Sequence, residues 1–442
     1  MQALIMAGQL LLSLSILVIL HEWGHFITAR IFGMRVEKFY LFFDAWGFKL
    51  FSFKRGETEY GIGWLPLGGY VKISGMIDES MDKDQMRKPA ESWEFRSKPA
   101  WQRLIVMLGG VTVNAILGVI IFTFIMFHYG ETKLPLSEAK YGIVARELGQ
   151  EIGLKTGDKI FAVNNKEVKY FDELVSTDVL LGDNVVYNVD RNGEIIEIPI
   201  AKDFANKFLD DKAGFIEPRT PVYVKSLSPD LTNARDGGLM EGDKITSVGA
   251  IPISFYDELQ AALLENKGKI VEINVIRGGE QKTLKIKVSD EGKIGFFPDL
   301  KKAFVTETVK YSLANSIPKG ISKATKTITD QLRAFKKIFK REVSASKSLS
   351  GPLGMATAFG GKWNWEWFWT LTGLISIVLA FMNLLPIPAL DGGHVVFLLI
   401  EMVIRRPVSE KVMEYAQYVG MFLLFALMIF ATGNDIYKLF VR

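Results

Sequence analysis

The 442-residue chain contains no cysteine and only four histidines. Without Cys there is no disulfide framework, no Cys-ligated zinc and no thiol nucleophile, so any metal site must be built from His, Asp or Glu. An excess of one charge is also missing: 53 Lys and Arg stand against 49 Asp and Glu, and no overall basic balance points to a nucleic-acid partner. What the chain has in plenty is apolar surface. With 49% hydrophobic residues and a mean hydropathy of +0.18, it is neither a disordered chain nor an ordinary soluble protein. Length alone allows about two to four domains.

The apolar residues concentrate in four runs, residues 3–20, 104–127, 368–400 and 412–431. Each is long enough to cross roughly 30 Å of hydrocarbon as a helix, the first by continuing through the His-Glu segment that follows it. No basic region follows Met1, which argues for a retained span over a cleaved signal peptide. Arg30, Arg35 and Lys38 follow the first run, Arg96, Lys98 and Arg103 precede the second, and Arg405, Arg406 and Lys411 separate the last two. Placing these clusters together on the cytoplasmic side sends both termini and the long region 130–360 outward. Trp363, Trp365, Trp367 and Trp369 suit an interfacial belt ahead of the third span.

Residues 301–350 resist this charge pattern, since twelve Lys and Arg, Lys301 among them, face three acids there. Ile321, Ala324, Ile328, Leu332, Phe335 and Phe339 recur at helical spacing, which predicts an amphipathic helix on lipid or against the spans. A solvated helix with an ordinary packing face is the alternative. Between the first two spans, residues 46–73 read as short strands and turns, predicting a β-hairpin that dips into the cytoplasmic side of the bundle.

The outward region carries an internal repeat. Gly153-Leu154 and Gly157-Asp158-Lys159-Ile160 return as Gly238-Leu239 and Gly242-Asp243-Lys244-Ile245. Phe171-Asp172-Glu173-Leu174 returns as Tyr256-Asp257-Glu258-Leu259, and Arg191-Asn192-Gly193-Glu194 matches Arg277-Gly278-Gly279-Glu280. Two copies of one domain of about 80 residues are the economical reading. The order of turns, helix and strands resembles PDZ domains, which bind extended peptides by strand addition.

The chemistry concentrates in His21-Glu22-Trp23-Gly24-His25, an H-E-x-x-H pattern at the end of the first span. On a helix the two imidazoles project from one face, one turn apart, and Glu22 lies beside them to take a proton from water. Ionisable groups at that depth are costly unless they serve a site. A zinc site that keeps a position open needs a third protein ligand. His128 ends the second span on the far side. Asp391 is the better candidate, in Asn383-Leu384-Leu385-Pro386-Ile387-Pro388-Ala389-Leu390-Asp391-Gly392-Gly393-His394, where prolines and glycines should break the third span locally and turn the carboxylate inward. A structural cap remains the other reading of Asp391. His394 could orient it or simply pack.

Taken together these motifs resemble the site-2 proteases, the intramembrane zinc metalloproteases, and in particular their bacterial branch that cleaves an anti-sigma factor in envelope-stress signalling. The resemblance covers nearly the whole chain. It rests on the His21 to His25 motif, the run at residues 61–72 with Gly68-Gly69-Tyr70, and Gly110-Val111-Thr112-Val113-Asn114 opening the second span. It continues through the repeated domains, Ser350-Gly351-Pro352-Leu353-Gly354 and the Asn383 to Gly392 segment.

The resemblance implies a polytopic α-helical membrane protein with about four transmembrane helices, a membrane-reentrant β-loop and two exported tandem PDZ domains. The implied division is a catalytic membrane part at 1–127 with its loop at 46–73, PDZ domains at 128–215 and 216–300, a basic linker at 301–360 and a second catalytic membrane part at 361–442. By the same resemblance His21, His25 and Asp391 bind zinc, and Glu22 is the general base. Asn383 contacts substrate backbone or the developing oxyanion, and Asn114 organises the substrate or the active site. It implies a multi-pass protein of the bacterial cytoplasmic membrane, with termini and PDZ domains periplasmic and the active site towards the cytoplasm. Its partners are membrane lipids and single-span substrates such as a trimmed anti-sigma factor or leftover signal peptides, with no nucleic acid. A non-catalytic, membrane-anchored PDZ scaffold is the alternative. A transporter would also explain polar residues at broken spans, but no inverted repeat is visible.

Overall fold

A computed structural model describes residues 1–66, 68–76, 89–201, 203–209, 214–299, 302 and 304–440. Leu67 of the 61–72 run, Lys301 of the basic segment and the division drawn between residues 300 and 301 lie outside the described residues. Two compact units are present: Met1–Gly130, Lys310–Phe335 and Ser348–Arg442 form one, and Glu131–Val309 with Lys336–Lys347 the other.

The first unit opens with helix α1 (Gln2–Ile31), four strands β1 (Val36–Leu41), β2 (Lys49–Arg55), β3 (Thr58–Gly63) and β4 (Tyr70–Ile73), and helix α2 (Ala100–His128). It continues with α3 (Leu313–Phe339, whose last turn belongs to the other unit), α4 (Pro352–Phe359), α5 (Trp365–Asn383), α6 (Asp391–Ile404) and α7 (Glu410–Phe440). Among the described residues, α1, α2, α5 and Lys411–Lys438 of α7 are long and apolar enough to cross a membrane.

Helix α2 packs against α1, α5 and α6. Small residues permit the crossings. A Cβ on Gly24 would meet the Gly109 carbonyl and come within 2.9 Å of Gly110 Cα, and one on Gly118 would meet the Ile377 side chain at 2.5 Å. The Gly110 to Asn114 run therefore sits in the middle of α2, where it faces α1, and does not open the span.

The third apolar run is divided. α5 ends at Asn383, and α6 starts at Asp391 after a seven-residue linker whose Pro386 and Pro388 cannot donate helical hydrogen bonds. Ala389 adopts a left-handed φ of 79°. Gly392 and Gly393 let the linker fold back on the start of α6, since a Cβ on Gly393 would stand 2.7 Å from the Ile387 carbonyl oxygen.

The 46–73 segment is more than a hairpin. It joins β1, absent from the sequence reading, in a mixed sheet of order β2-β3-β1-β4, with β1 and β3 parallel. Its edges are β2, which exposes Leu50, Phe51 and Phe53, and β4. The expected apolar stripe of α3 is split: Ala324 is buried and Phe335 packs on Phe381 at 5.9 Å, whereas Ile321 and Leu332 are exposed.

In the second unit, strands β5 (Lys159–Val163), β6 (Lys166–Glu167), β7 (Val186–Arg191) and β8 (Glu194–Pro199) form one sheet of order β6-β5-β7-β8. β9 (Lys244–Val248), β10 (Ile251–Pro252), β11 (Ile270–Arg277) and β12 (Glu280–Lys287) form another in the same order, β10-β9-β11-β12. Each has its own core, Leu154, Ile160, Leu174 and Tyr187 in one, Leu239, Ile245, Leu259 and Ile273 at matching places in the other.

The repeated motifs are bonding partners. Arg191 pairs with Asp158 at 2.7 Å and donates to the Gly153 carbonyl, while Arg277 pairs with Asp243 at 2.7 Å and donates to the Gly238 carbonyl. Burial alone would raise the Asp243 pKa. The Arg277 guanidinium and the Met240 N–H outweigh it and hold the carboxyl below its usual range. The repeated Glu173 and Glu258 accept from the backbone N–H groups of Tyr170 and Phe255, both at 3.2 Å, capping the helical turns that follow.

Candidate metal centre

Helix α1 continues without a break through the H-E-x-x-H motif, so His21 and His25 share one face. Their Nε2 atoms are 3.2 Å apart. From the start of α6, Asp391 Oδ2 reaches within 3.2 Å of His21 Nε2 and 3.4 Å of His25 Nε2. That carboxylate oxygen is buried and accepts no hydrogen bond, although two imidazole nitrogens stand beside it. Among the described residues these three form the one group of His, Asp and Glu placed to share an ion.

The ring nitrogens pointing away from this triangle have their own neighbours. His25 Nδ1 lies 2.8 Å from the Val106 carbonyl oxygen, which can only accept, so Nδ1 carries the proton and Nε2 keeps a lone pair for the triangle. His21 Nδ1 lies 3.3 Å from the amide nitrogen of Asn114, whose Oδ1 is buried with no partner. Turning that amide over presents Oδ1 to an Nδ1–H, satisfies the orphaned oxygen and frees His21 Nε2 in the same way. On the triangle side, Asn383 Nδ2 stands 3.4 Å from His21 Nε2.

Glycine makes room for both rings. A Cβ on Gly110 would come within 2.6 Å of His21 Cε1 and would also meet His25 Nε2. Gly69, just before β4, lies against α1, where a Cβ would stand 3.3 Å from Glu22 Cγ.

The triangle opens on a cavity of about 710 Å³ whose lining includes Glu22, Asn114, Asn383, Gln417, His394 and the β4 residue Tyr70. All six candidate site residues from the sequence are thus brought to one place. His128 is not among them. It stacks on Phe124 at 5.4 Å near the far end of α2. Sequence reasoning missed Gln417, the Val106 carbonyl and the steric roles of Gly69 and Gly110.

The donor set fits a tetrahedral divalent ion. Zinc bonds of about 2.0–2.1 Å to nitrogen or oxygen place neighbouring ligand atoms about 3.3–3.4 Å apart, close to the three edges found here. Two neutral imidazoles and one carboxylate leave a fourth position for water or substrate, as in catalytic sites. Apolar helices built around such a centre, with a glutamate beside it, define a membrane-embedded zinc metallopeptidase.

Comparison with known proteins agrees. The profile of Peptidase family M50 matches residues 9–427, and the chain belongs to that family, the site-2 proteases. It is 30% identical to the regulator of sigma E protease of Haemophilus influenzae, with 98% of each chain covered. It is 28% identical to the regulator of sigma-E protease of Escherichia coli over 97% of this chain and 98% of that one.

Proposed function

We propose that this chain is a zinc-dependent intramembrane endopeptidase that hydrolyses peptide bonds in or near the membrane segments of single-span proteins. The observation that carries this reading is the donor triangle of His21, His25 and Asp391, with edges of 3.2, 3.2 and 3.4 Å. Zinc, when bound there, supplies a Lewis acid that polarises a carbonyl and lowers the pKa of a water towards about 7.

The chain's own residues do the rest. Glu22 takes the proton of the attacking water and returns it to the leaving amine. Asn383 directs its amide donor towards the side of His21 where negative charge develops on the substrate carbonyl. Asn114 fixes the His21 tautomer through Nδ1.

A substrate helix hides its carbonyls in internal hydrogen bonds and must unwind before attack. The edge strand β4 lines the cavity and lies next to Glu22 through Gly69, which suits it to pair with the unwound segment. Such pairing replaces bonds whose loss in hydrocarbon is expensive. In this reading the β1–β4 sheet is a membrane-reentrant loop on the cytoplasmic side. The repeated sheets are tandem PDZ domains on the periplasmic side of the bacterial inner membrane, excluding substrates with bulky external domains. Two relatives are named regulator of sigma E proteases, which fits a substrate in sigma-E control; in this reading that substrate is a pre-trimmed anti-sigma factor, with remnant signal peptides as a second class.

The test is cleavage of a single-span peptide by the purified full chain in detergent micelles, with the cut bond mapped by mass spectrometry. A cut inside the span, abolished by a chelator and restored by zinc, is expected. Chelator-insensitive cleavage, or none, counts against the reading.

A further inference from the structure

Gln417 is a polar side chain in the apolar helix α7, and the chemistry described so far does not use it. It is 6% exposed, lines the cavity of the metal centre and makes no hydrogen bond among the described residues. Gln9 shows how a structural amide in this bundle behaves. It is also buried, but its Nε2 donates to the Gly360 carbonyl at 3.0 Å and ties α1 to the end of α4. Gln417 has no such tie, and its amide atoms, unlike the orphaned Oε1 of Gln9, stay open to the cavity, where an arriving backbone can pair with them.

Its position is fixed by a close backbone approach. Gly420, three residues on and so on the same face of α7, packs on the linker that delivers Asp391. A Cβ there would stand 3.0 Å from Ala389 N and closer still to the Pro388 carbonyl. The contact holds Gln417 at the cavity that Asp391 and β4 also line.

We propose that Gln417 is a substrate-binding residue, whose amide pairs with the backbone of the unwound substrate segment beside the scissile bond. The inference rests on the endopeptidase reading above. A primary amide offers both donors and an acceptor, matching an exposed peptide N–H or C=O whatever the side chain, so the contact adds affinity without selecting sequence. It gives the segment hydrogen bonds in addition to those of β4. In this way the last membrane helix takes part in binding.

The test measures binding and not turnover. The full-length Glu22→Gln protein in detergent is titrated with a dye-labelled synthetic peptide bearing one Leu/Ala-rich span interrupted by Gly and Ser. Gln417→Leu and Gln417→Met in that background should each weaken binding about three- to tenfold, the range expected for one net hydrogen bond, with zinc content unchanged. Replacing single backbone amides of the peptide by esters should reveal a position that weakens binding to the Gln417 protein but not to the Gln417→Leu protein. Unchanged affinity in both variants, identical ester losses with and without Gln417, or no binding to the Gln417 protein overturns the proposal. Gln417-dependent binding without any cleavage by the wild type removes the endopeptidase reading and keeps this one. Cleavage with Gln417-independent binding does the reverse.

Discussion

Asp391 Oδ2 stands 3.2 Å from His21 Nε2, though the two residues come from helices near opposite ends of the chain. Nothing local produces this approach. α2 must cross α1 at Gly24 and Gly110, and the 384–390 linker must fold back on Gly392 and Gly393. The metal centre is therefore a consequence of glycine packing as much as of its donors.

Gly110→Ala tests that dependence. The new methyl group meets both imidazoles, and the rings must turn or the helices part. Zinc affinity should fall about 10–100-fold, the range found when the support of metal ligands is removed. Gly8→Ala, whose Cβ meets nothing within 4 Å, should leave affinity unchanged. Competition with a chromogenic chelator measures both, and equal affinities would show that the close approach is not needed.

Asn114 should act on the metal through His21. Asn114→Ala removes the acceptor for His21 Nδ1–H and should weaken zinc binding about tenfold or more. Asn114→Asp, which keeps an oxygen at that place, should retain it. The same chelator titration decides, and tight zinc binding by the alanine variant would remove Asn114 from this role.

The Asp243–Arg277 pair predicts a pH dependence in the second repeat. The folded pKa of Asp243 lies below its ordinary 3.8. The stability it contributes is thus fully present above 3.8 and is lost as pH falls through the lower folded value. Arg277→Met strands a carboxylate that is 0% exposed. A fully buried pair broken this way costs about 3–5 kcal/mol; the partial exposure of Arg277 reduces the expectation to about 2–4 kcal/mol. Hydrogen exchange in β9, β11 and β12 of the full chain at neutral pH reads the loss. Unchanged protection would mean that the pair is not what stabilises this sheet.

How much of this was legible in the sequence varies with the range of the interaction. The H-E-x-x-H helix could be read because its geometry is local, and the break before Asp391 because Pro and Gly act on their own backbone. The repeat was visible as motifs, but not that Asp158 and Arg191, or Asp243 and Arg277, bond to each other. Strand β1 has no clear signal of its own because its six residues come just after a long helix and a short turn, and its parallel partner β3 lies beyond another strand. Gly110 and Gln417 carry no local signature. One looks like any small residue in a span and the other like a stray amide until the packing of α2 and α7 is known.

The central claim is that His21, His25 and Asp391 hold zinc while Glu22 moves the proton. The most direct measurement is zinc content and cleavage of one single-span peptide, on the same preparations of wild type, Glu22→Gln and Asp391→Ala. The account predicts about one zinc per chain in the first two and little in the third. Product should form at an appreciable rate with wild type alone, the Glu22→Gln rate falling by about 10²–10⁴ for loss of general acid–base catalysis. Full zinc in Asp391→Ala, or undiminished cleavage by Glu22→Gln, would contradict it.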